Sequence, residues 1–204
     1  MISSLRGKLQ TMFDSKKYWN DRYNAGKHSG LGSYGRLAKY KADTINKFIK
    51  DKKIKSVLEY GCGDGNNLSL IKCDSITGLD VATNAIERCK NLMPLNTFHV
   101  VDDVDLNTLS FELVLSLDVI YHLVEDEVYN DYISNLCKMS SKYIIVYSAN
   151  FEGGEYCQHV RPRKFTEHPL LKSEYKLIKS IKNKYHSNND TEGSFSDWYI
   201  YEKL

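Results

Sequence analysis

Three glycines and two acids crowd into residues 59–65 of the stretch VLEYGCGDGNNLSL, which occupies positions 57–70. A tight glycine turn after an apolar strand lets the backbone approach a nucleotide closely. The pattern of a dinucleotide site, G-x-G-x-x-G, fails here: reading from Gly61, the sixth position is Asn66. The Walker pattern fails as well, because no Gly-Lys-Ser/Thr follows. Glu59 and Asp64 place negative charge where a phosphate chain would need positive charge. Asp80 lies 19 residues after Gly61, close to the spacing at which an acid takes ribose hydroxyls in nucleotide-binding α/β folds. These residues suit a cationic ligand that carries a ribose and no phosphate. S-adenosylmethionine, with its sulfonium, ammonium and ribose, has that chemistry.

Two further clusters can do chemistry. In SLDVIYHL (116–123), His122 follows Asp118 by four residues, so one helical turn would put them on a shared face. Free imidazole titrates near 6.5, so a His oriented by Asp118, or standing alone, can serve as a base near neutral pH. The competing reading is that His122 caps or packs a turn. In EYCQHVRPRKF (155–165), His159, Arg161, Arg163 and Lys164 either hold an anionic acceptor group, for which guanidinium is well shaped, or form a solvated basic loop anchored by Phe165.

The elements that must position these residues follow from periodicity. Helices are expected over 14–24 and 33–50, joined by the glycine-rich and mobile loop AGKHSGLGSYG. Strands and helices then alternate. KSVLEY, SITGLD, TFHVVD, FELVLSL and KYIIVYSAN read as strands, with helices starting at NNLSLIK and spanning ATNAIERCKNL and EDEVYNDYISNLCKM. YKLIKSIKNKYH and SFSDWYIYEKL read as a closing antiparallel hairpin at the sheet edge. Such a pattern implies an α/β fold, a doubly wound and mostly parallel sheet buried on both faces. Ligands of such sheets lie at the carboxyl ends of the strands, where Glu59, Asp80, Asp102 and Asp118 fall.

Length and composition narrow the classes. The 204 residues suit one domain, divided into N-terminal helices (1–50), a core (55–150) and an acceptor loop with closing strands (151–204). Five scattered cysteines without CxxC spacing argue against a disulfide framework or zinc knuckle and for a reducing compartment, the cytoplasm. No apolar run is long enough to span a bilayer, and MISSLRGKLQTMF lacks a secretory apolar core; it is a weakly amphipathic helix or an expression remnant. Residues 1–55 carry a net charge of +10, residues 56–150 of −9 and residues 151–204 of +1. The basic start favours a solvated lysine-rich surface over nucleic-acid binding, since no basic stripe is interleaved with aromatics.

Residues 55–150 resemble the class I S-adenosylmethionine-dependent methyltransferases, with a Rossmann-like seven-stranded sheet. VLEYGCGDGN looks like their glycine-rich first motif, GLDVATNAIERCK their second, TFHVVDDVDL their third and FELVLSLDVIYHL their fourth, in the same order and spacing. YWNDRYNAG resembles the helix that small members fold over the cofactor, although Tyr18, Trp19 and Tyr23 can equally be a stripe packing on the core. The resemblance implies that Glu59, Gly61, Cys62, Gly63 and Asn66 form the loop around the cofactor, with Asp80 and Val81 at the ribose. It implies Asp102, with Asp103 as the near alternative, at the adenine, and Leu117 and Asp118 along the methionine part. Tyr18, Trp19 and Arg36 would close the site from the N-terminal side. Cys62 also reads as a small packed residue of the loop.

Methyl transfer needs in-line alignment, and a hydroxyl acceptor also needs a base. His122, with Asp118, is the expected catalytic pair; Tyr121, His122, His159, Arg161 and Arg163 are the expected acceptor contacts. No Asp/Asn cluster of the metal-dependent O-methyltransferase kind occurs, so no metal is expected. GSYGRLAKYKA and HVRPRKF resemble segments of bacterial and viral enzymes found near glycan-building genes, which implies a sugar hydroxyl on a glycan or its precursor as acceptor. A small-molecule amine, a protein side chain, an RNA cap, or a non-catalytic S-adenosylmethionine-binding module remain alternatives.

Overall fold

Seven strands form one sheet in the order β3-β2-β1-β4-β5-β7-β6. They are β1 (Ser56–Tyr60), β2 (Ser75–Asp80), β3 (Thr97–Val100), β4 (Phe111–Leu117), β5 (Ser140–Ser148), β6 (Tyr175–Ile181) and β7 (Asp197–Lys203). This computed structural model describes residues 13–153, 157–187 and 193–204; the amphipathic start expected before Phe13 lies outside the described residues, as do Glu155 and Tyr156 of the acceptor loop. The first five strands pair in parallel, and β7 runs antiparallel between β5 and β6.

Both faces of the sheet are buried, and the residue alternation shows how. Val57, Leu113, Leu115 and Ile145 point to one face, covered by α2 (Gly35–Lys52) and α3 (Thr83–Leu92). Leu58, Val114, Ile144 and Val146 point to the other, covered by α4 (Asp126–Met139) and the short α5 (Pro169–Glu174). Burying one such side chain contributes roughly 1.5–3 kcal/mol, so two apolar faces dominate the stability. β7 alternates Trp198, Ile200 and Tyr201 into the core, as an inner strand must. β6 presents Lys176 and Lys179 to solvent, which suits an edge strand that must not recruit another chain.

Two expectations change. No α-helix begins at NNLSLIK; only a single 3₁₀ turn, Leu68–Leu70, lies between β1 and β2. Helix α2 already occupies that face, and its Asn46 holds the segment at both ends, donating to Leu70 O at 2.9 Å and accepting from Lys72 N at 2.8 Å. The glycine-rich loop 25–35 is pinned rather than loose. Asp64 accepts hydrogen bonds from Ser29 N and the Tyr34 hydroxyl at 2.9 and 2.8 Å, and its own N–H donates to Ser29 Oγ at 3.0 Å. The remaining helix, α1 (Ser15–Asn24), leads into that loop.

Candidate active site

A cavity of about 1350 Å³ opens at the carboxyl ends of β1, β2 and β4, where the strand order reverses. The glycine loop forms its floor. Gly61 and Gly63 have φ of 84° and 56°, the left-handed region that disfavours a side chain. A Cβ on Gly61 would also meet Val119 Cγ2 at 2.6 Å, and one on Gly63 would meet the Tyr23 hydroxyl at 2.7 Å. Cys62 is buried in the same turn, with its Sγ 3.9 Å from Cys89 Sγ.

Two acids stand over this floor. Asp80 ends β2 and accepts from Gly63 N at 2.8 Å and Ala82 N at 2.9 Å. Burial raises its pKa to about 6 even against these backbone donors. Glu59 is 1% exposed, and burial pushes it up to about 8, with Lys41 opposing the shift. Its Oε2 is buried without a hydrogen-bond partner, as is Asn67 Oδ1, and both residues line the cavity. A buried acceptor without a donor is costly. Both atoms therefore fit a ligand that brings N–H groups, and Glu59 in particular fits an ammonium.

At the end of β4, Asp118 takes a positive φ of 59°, uncommon for a residue with a side chain. Its carboxylate accepts from Lys41 Nζ at 2.8 Å and from Ser196 Oγ at 2.8 Å. Lys41 is 1% exposed. The chain then turns through a 3₁₀ turn, Ile120–His122. The His122 ring bonds the carbonyl of His159 through Nδ1 at 2.8 Å. A carbonyl can only accept, so Nδ1 carries the proton and Nε2 keeps its lone pair. Burial lowers His122 to about 4 against the hydrogen bond to the His159 carbonyl and the charge of Asp118, with the His159 ring and Arg22 adding to the lowering. Asp118 thus does not orient His122; His159 does, and imidazole stays neutral well below the range of the free group.

Aromatic rings enclose this end. Trp19 meets His122 edge-on at 4.9 Å, and Tyr121 lies 4.5 Å from it. His159 stacks on Tyr18 at 4.6 Å and lies parallel to His122 at 5.5 Å. Phe195, from the segment before β7, meets Tyr121 at 5.0 Å.

Most residues expected from the sequence meet at this cavity: Tyr18, Trp19, Glu59, Gly61, Cys62, Gly63, Asp80, Val81, Asp102, Leu117, Asp118, Tyr121, His122 and His159. Several others do not line it. Arg36 is exposed and its guanidinium lies 5.0 Å from the Tyr185 ring. Asn66 turns to Ser33 O at 2.6 Å, and the neighbouring Asn67 lines the wall instead. Asp103 is exposed beside Asp102, which pairs with Lys16. The Arg161 guanidinium donates to Val124 O at 2.8 Å and pairs with Asp126. Arg163 is buried; it donates to Leu123 O and Val124 O at 3.0 and 2.9 Å, pairs with Asp126 and lies 4.5 Å from the Tyr129 ring. Both arginines brace the segment after His122, so the acceptor clamp expected of them is not formed here.

Sequence reasoning missed Lys41, Arg22 and Ser196. Lys41 had a signal: it interrupts the apolar stripe Leu37, Ala38, Ala42, Ile45 and Ile49 of α2, all buried. Arg22 lines the cavity and donates from Nε to His28 O at 2.8 Å. Ser196 reaches Asp118 across 78 positions, which local pattern cannot reveal. Among the described residues no group of three His, Cys, Asp or Glu side chains is placed to hold a metal ion, and no helix is long and apolar enough to cross a membrane.

A methyltransferase-domain family model matches residues 34–169, from the start of α2 to the start of α5. The chain is a methyltransferase. It belongs to the class I, S-adenosylmethionine-dependent family, and S-adenosylmethionine is its cofactor. Solved structures share the fold of the methyltransferase. N-methyltransferase NodS from Bradyrhizobium japonicum WM9, in complex with S-adenosylhomocysteine, is 15% identical with a TM-score of 0.71, covering 93% of this chain and 99% of that one. Magnesium protoporphyrin IX methyltransferase from Synechocystis PCC 6803 is 15% identical with a TM-score of 0.64, covering 93% and 98%. The amino pentose methyltransferase CalS10 from Micromonospora echinaspora is 11% identical with a TM-score of 0.61, covering 89% and 96%. At these identities the likeness concerns the fold. No curated protein sequence matches the methyltransferase.

Proposed function

We propose that this single-domain methyltransferase acts in the cytoplasm on a hydroxyl of a sugar ring, on a glycan or its precursor, with His122 as the general base. The observation that carries the proposal is the His122 tautomer. Nδ1–H is committed to His159 O, which leaves Nε2 of this cavity-lining residue as the proton acceptor. A neutral amine attacks through its own lone pair, whereas a hydroxyl must lose its proton as it attacks. The sugar assignment also draws on the glycan-enzyme resemblance of GSYGRLAKYKA and HVRPRKF, and the amino pentose methyltransferase is one fold neighbour whose substrate is a sugar.

When bound, S-adenosylmethionine would supply an electrophilic methyl group on its sulfonium. The residues of the chain would do the rest. Glu59 and Asn67, with their unpartnered oxygens, would hold the donors of the amino-acid part, and Asp80 the ribose hydroxyls. Asp102, which also pairs with Lys16, would hold the adenine amino group. Arg22, rather than Arg36, is the arginine on the wall and suits the carboxylate. The rings of Trp19, Tyr121 and Phe195 exclude water from the acceptor end. The acceptor proton passes to His122 Nε2 as the new carbon–oxygen bond forms.

His122→Ala tests the assignment. General bases contribute roughly 10²–10⁴ in rate and most when their pKa lies near the working pH; with His122 near 4, kcat should fall toward the lower end, by about 10², while cofactor affinity holds. Because His122 titrates near 4, the wild-type rate should be flat from about pH 5 upward instead of climbing through the range near 6.5. Near-normal turnover in the variant would exclude His122 as the base.

A further inference from the structure

Helix α1 lies along the cavity wall, with Tyr18, Trp19, Arg22 and Tyr23 all facing it. It is also built into the segment that carries His122. The first N–H groups of any helix need partners from outside it. Asp14 caps Lys17 N at 2.7 Å in the usual manner. Ser15 N is served instead by Glu125, 110 positions away, at 2.7 Å. The Ser15 hydroxyl lies between the other Glu125 oxygen and His122 O, the latter at 3.0 Å, and accepts from Val124 N at 3.3 Å. Ser15 is 3% exposed. Glu125 is itself the N-cap residue of α4, yet its side chain makes no bond to that helix. It caps α1 instead.

Ring contacts repeat the connection. Trp19 touches the His122 ring, and Tyr18 stacks on His159, whose carbonyl fixes the His122 tautomer. Thus α1 meets the His122 unit at its backbone, at its ring and at its orienting partner.

We propose that Ser15 and Glu125 are positioning residues that make the docking of α1 and the setting of His122 one event. The inference rests on His122 as the base: the groups that hold the start of α1 are the groups that hold residues 122–125, so whatever steadies one steadies the other.

The test compares wild type with Glu125→Ala, Glu125→Gln and Ser15→Ala, using S-adenosylhomocysteine as the probe. The first readout is the NMR titration of the His122 ring, whose charged or polar neighbours are His159 on the acceptor loop, Arg22 on α1 and Asp118 and Tyr121 beside it. Wild-type His122 should titrate near 4, and the Glu125→Ala protein should move toward the free value of about 6.5. Glu125→Gln, which can still accept from Ser15 N, should stay nearer to wild type. The second readout is hydrogen exchange. The probe should slow residues 15–24 and 119–124 together in wild type, but only residues 15–24 in Glu125→Ala. If circular dichroism shows Glu125→Ala to be unfolded, Ser15→Ala carries the same comparison, since it keeps the backbone bond to Glu125 and loses the hydroxyl bridge. A His122 titration and an exchange pattern identical to wild type in the folded variants would overturn the coupling. Unimpaired turnover of His122→Ala would remove the base while leaving these two readouts able to show the coupling, so the two failures are distinguishable.

Discussion

Glu59→Gln replaces a buried carboxyl by an amide of the same shape. Glu59 titrates near 8, so at pH 7 about nine-tenths of the free protein carries the proton. The cofactor's amino group, of a kind that titrates near 7.7–8.0, is still mostly charged at that pH. Ion pairing with it requires a carboxylate, so binding should release close to one proton per site. Asp80, near 6, is mostly ionised already and adds little; His122, near 4, is neutral throughout. Hydrogen bonds to charged groups contribute roughly 1.5–3 kcal/mol. Deprotonating Glu59 one unit below its pKa costs about 1.4 kcal/mol of this. The variant should therefore bind S-adenosylmethionine only up to about tenfold more weakly at pH 7, and it should release almost no proton. Calorimetry in two buffers of different ionisation enthalpy reads the proton count directly. The free protein offers a control. A carboxyl whose folded pKa exceeds its unfolded value binds more protons when folded, so its contribution falls as pH rises from 4.5 to about 8, and that slope should be absent from Glu59→Gln. Zero proton release by wild type, or equal release by the variant, would refute the placement of the ammonium at Glu59.

Asp80→Ala removes charged acceptors for two hydroxyls and should weaken cofactor binding by roughly one to two decades, measured by calorimetry. Lys41→Met leaves Asp118 without its buried partner and should lower the unfolding free energy by about 3 kcal/mol in denaturant titration; an unchanged midpoint would show the pair to be dispensable. Arg163→Ala frees two carbonyls after His122 and should reduce kcat and melting temperature together, with acceptor KM little changed; a pure KM effect would restore the acceptor clamp that the sequence suggests.

The sequence made the fold legible wherever apolar runs alternated with helical stripes. β1, β2, β4 and α4 fall within two residues of their expected bounds, because both-face burial demands continuous apolar strands. The expected helix at 66–72 failed for a non-local reason: α2, from earlier in the chain, had taken its place on the sheet. The cofactor wall was legible through the spacing of Gly61, Gly63 and Asp80, since strand ends converge in this fold. The acceptor end was less so. Arg163 looks like a ligand clamp in HVRPRKF, but its partners Leu123, Val124 and Asp126 are about 40 positions away. Asp118 and His122 look like a dyad by spacing. The left-handed turn at Asp118 and the reach of Lys41 and Ser196 separate their roles.

The most direct measurement is methyl transfer from radiolabelled S-adenosylmethionine to a matched panel of sugar glycosides, amino sugars, amines and RNA caps, with the labelled atom located by mass spectrometry. Label is expected on a ring hydroxyl oxygen of a sugar, and should be lost in His122→Ala. Label found only on nitrogen, and undiminished in His122→Ala, would contradict it.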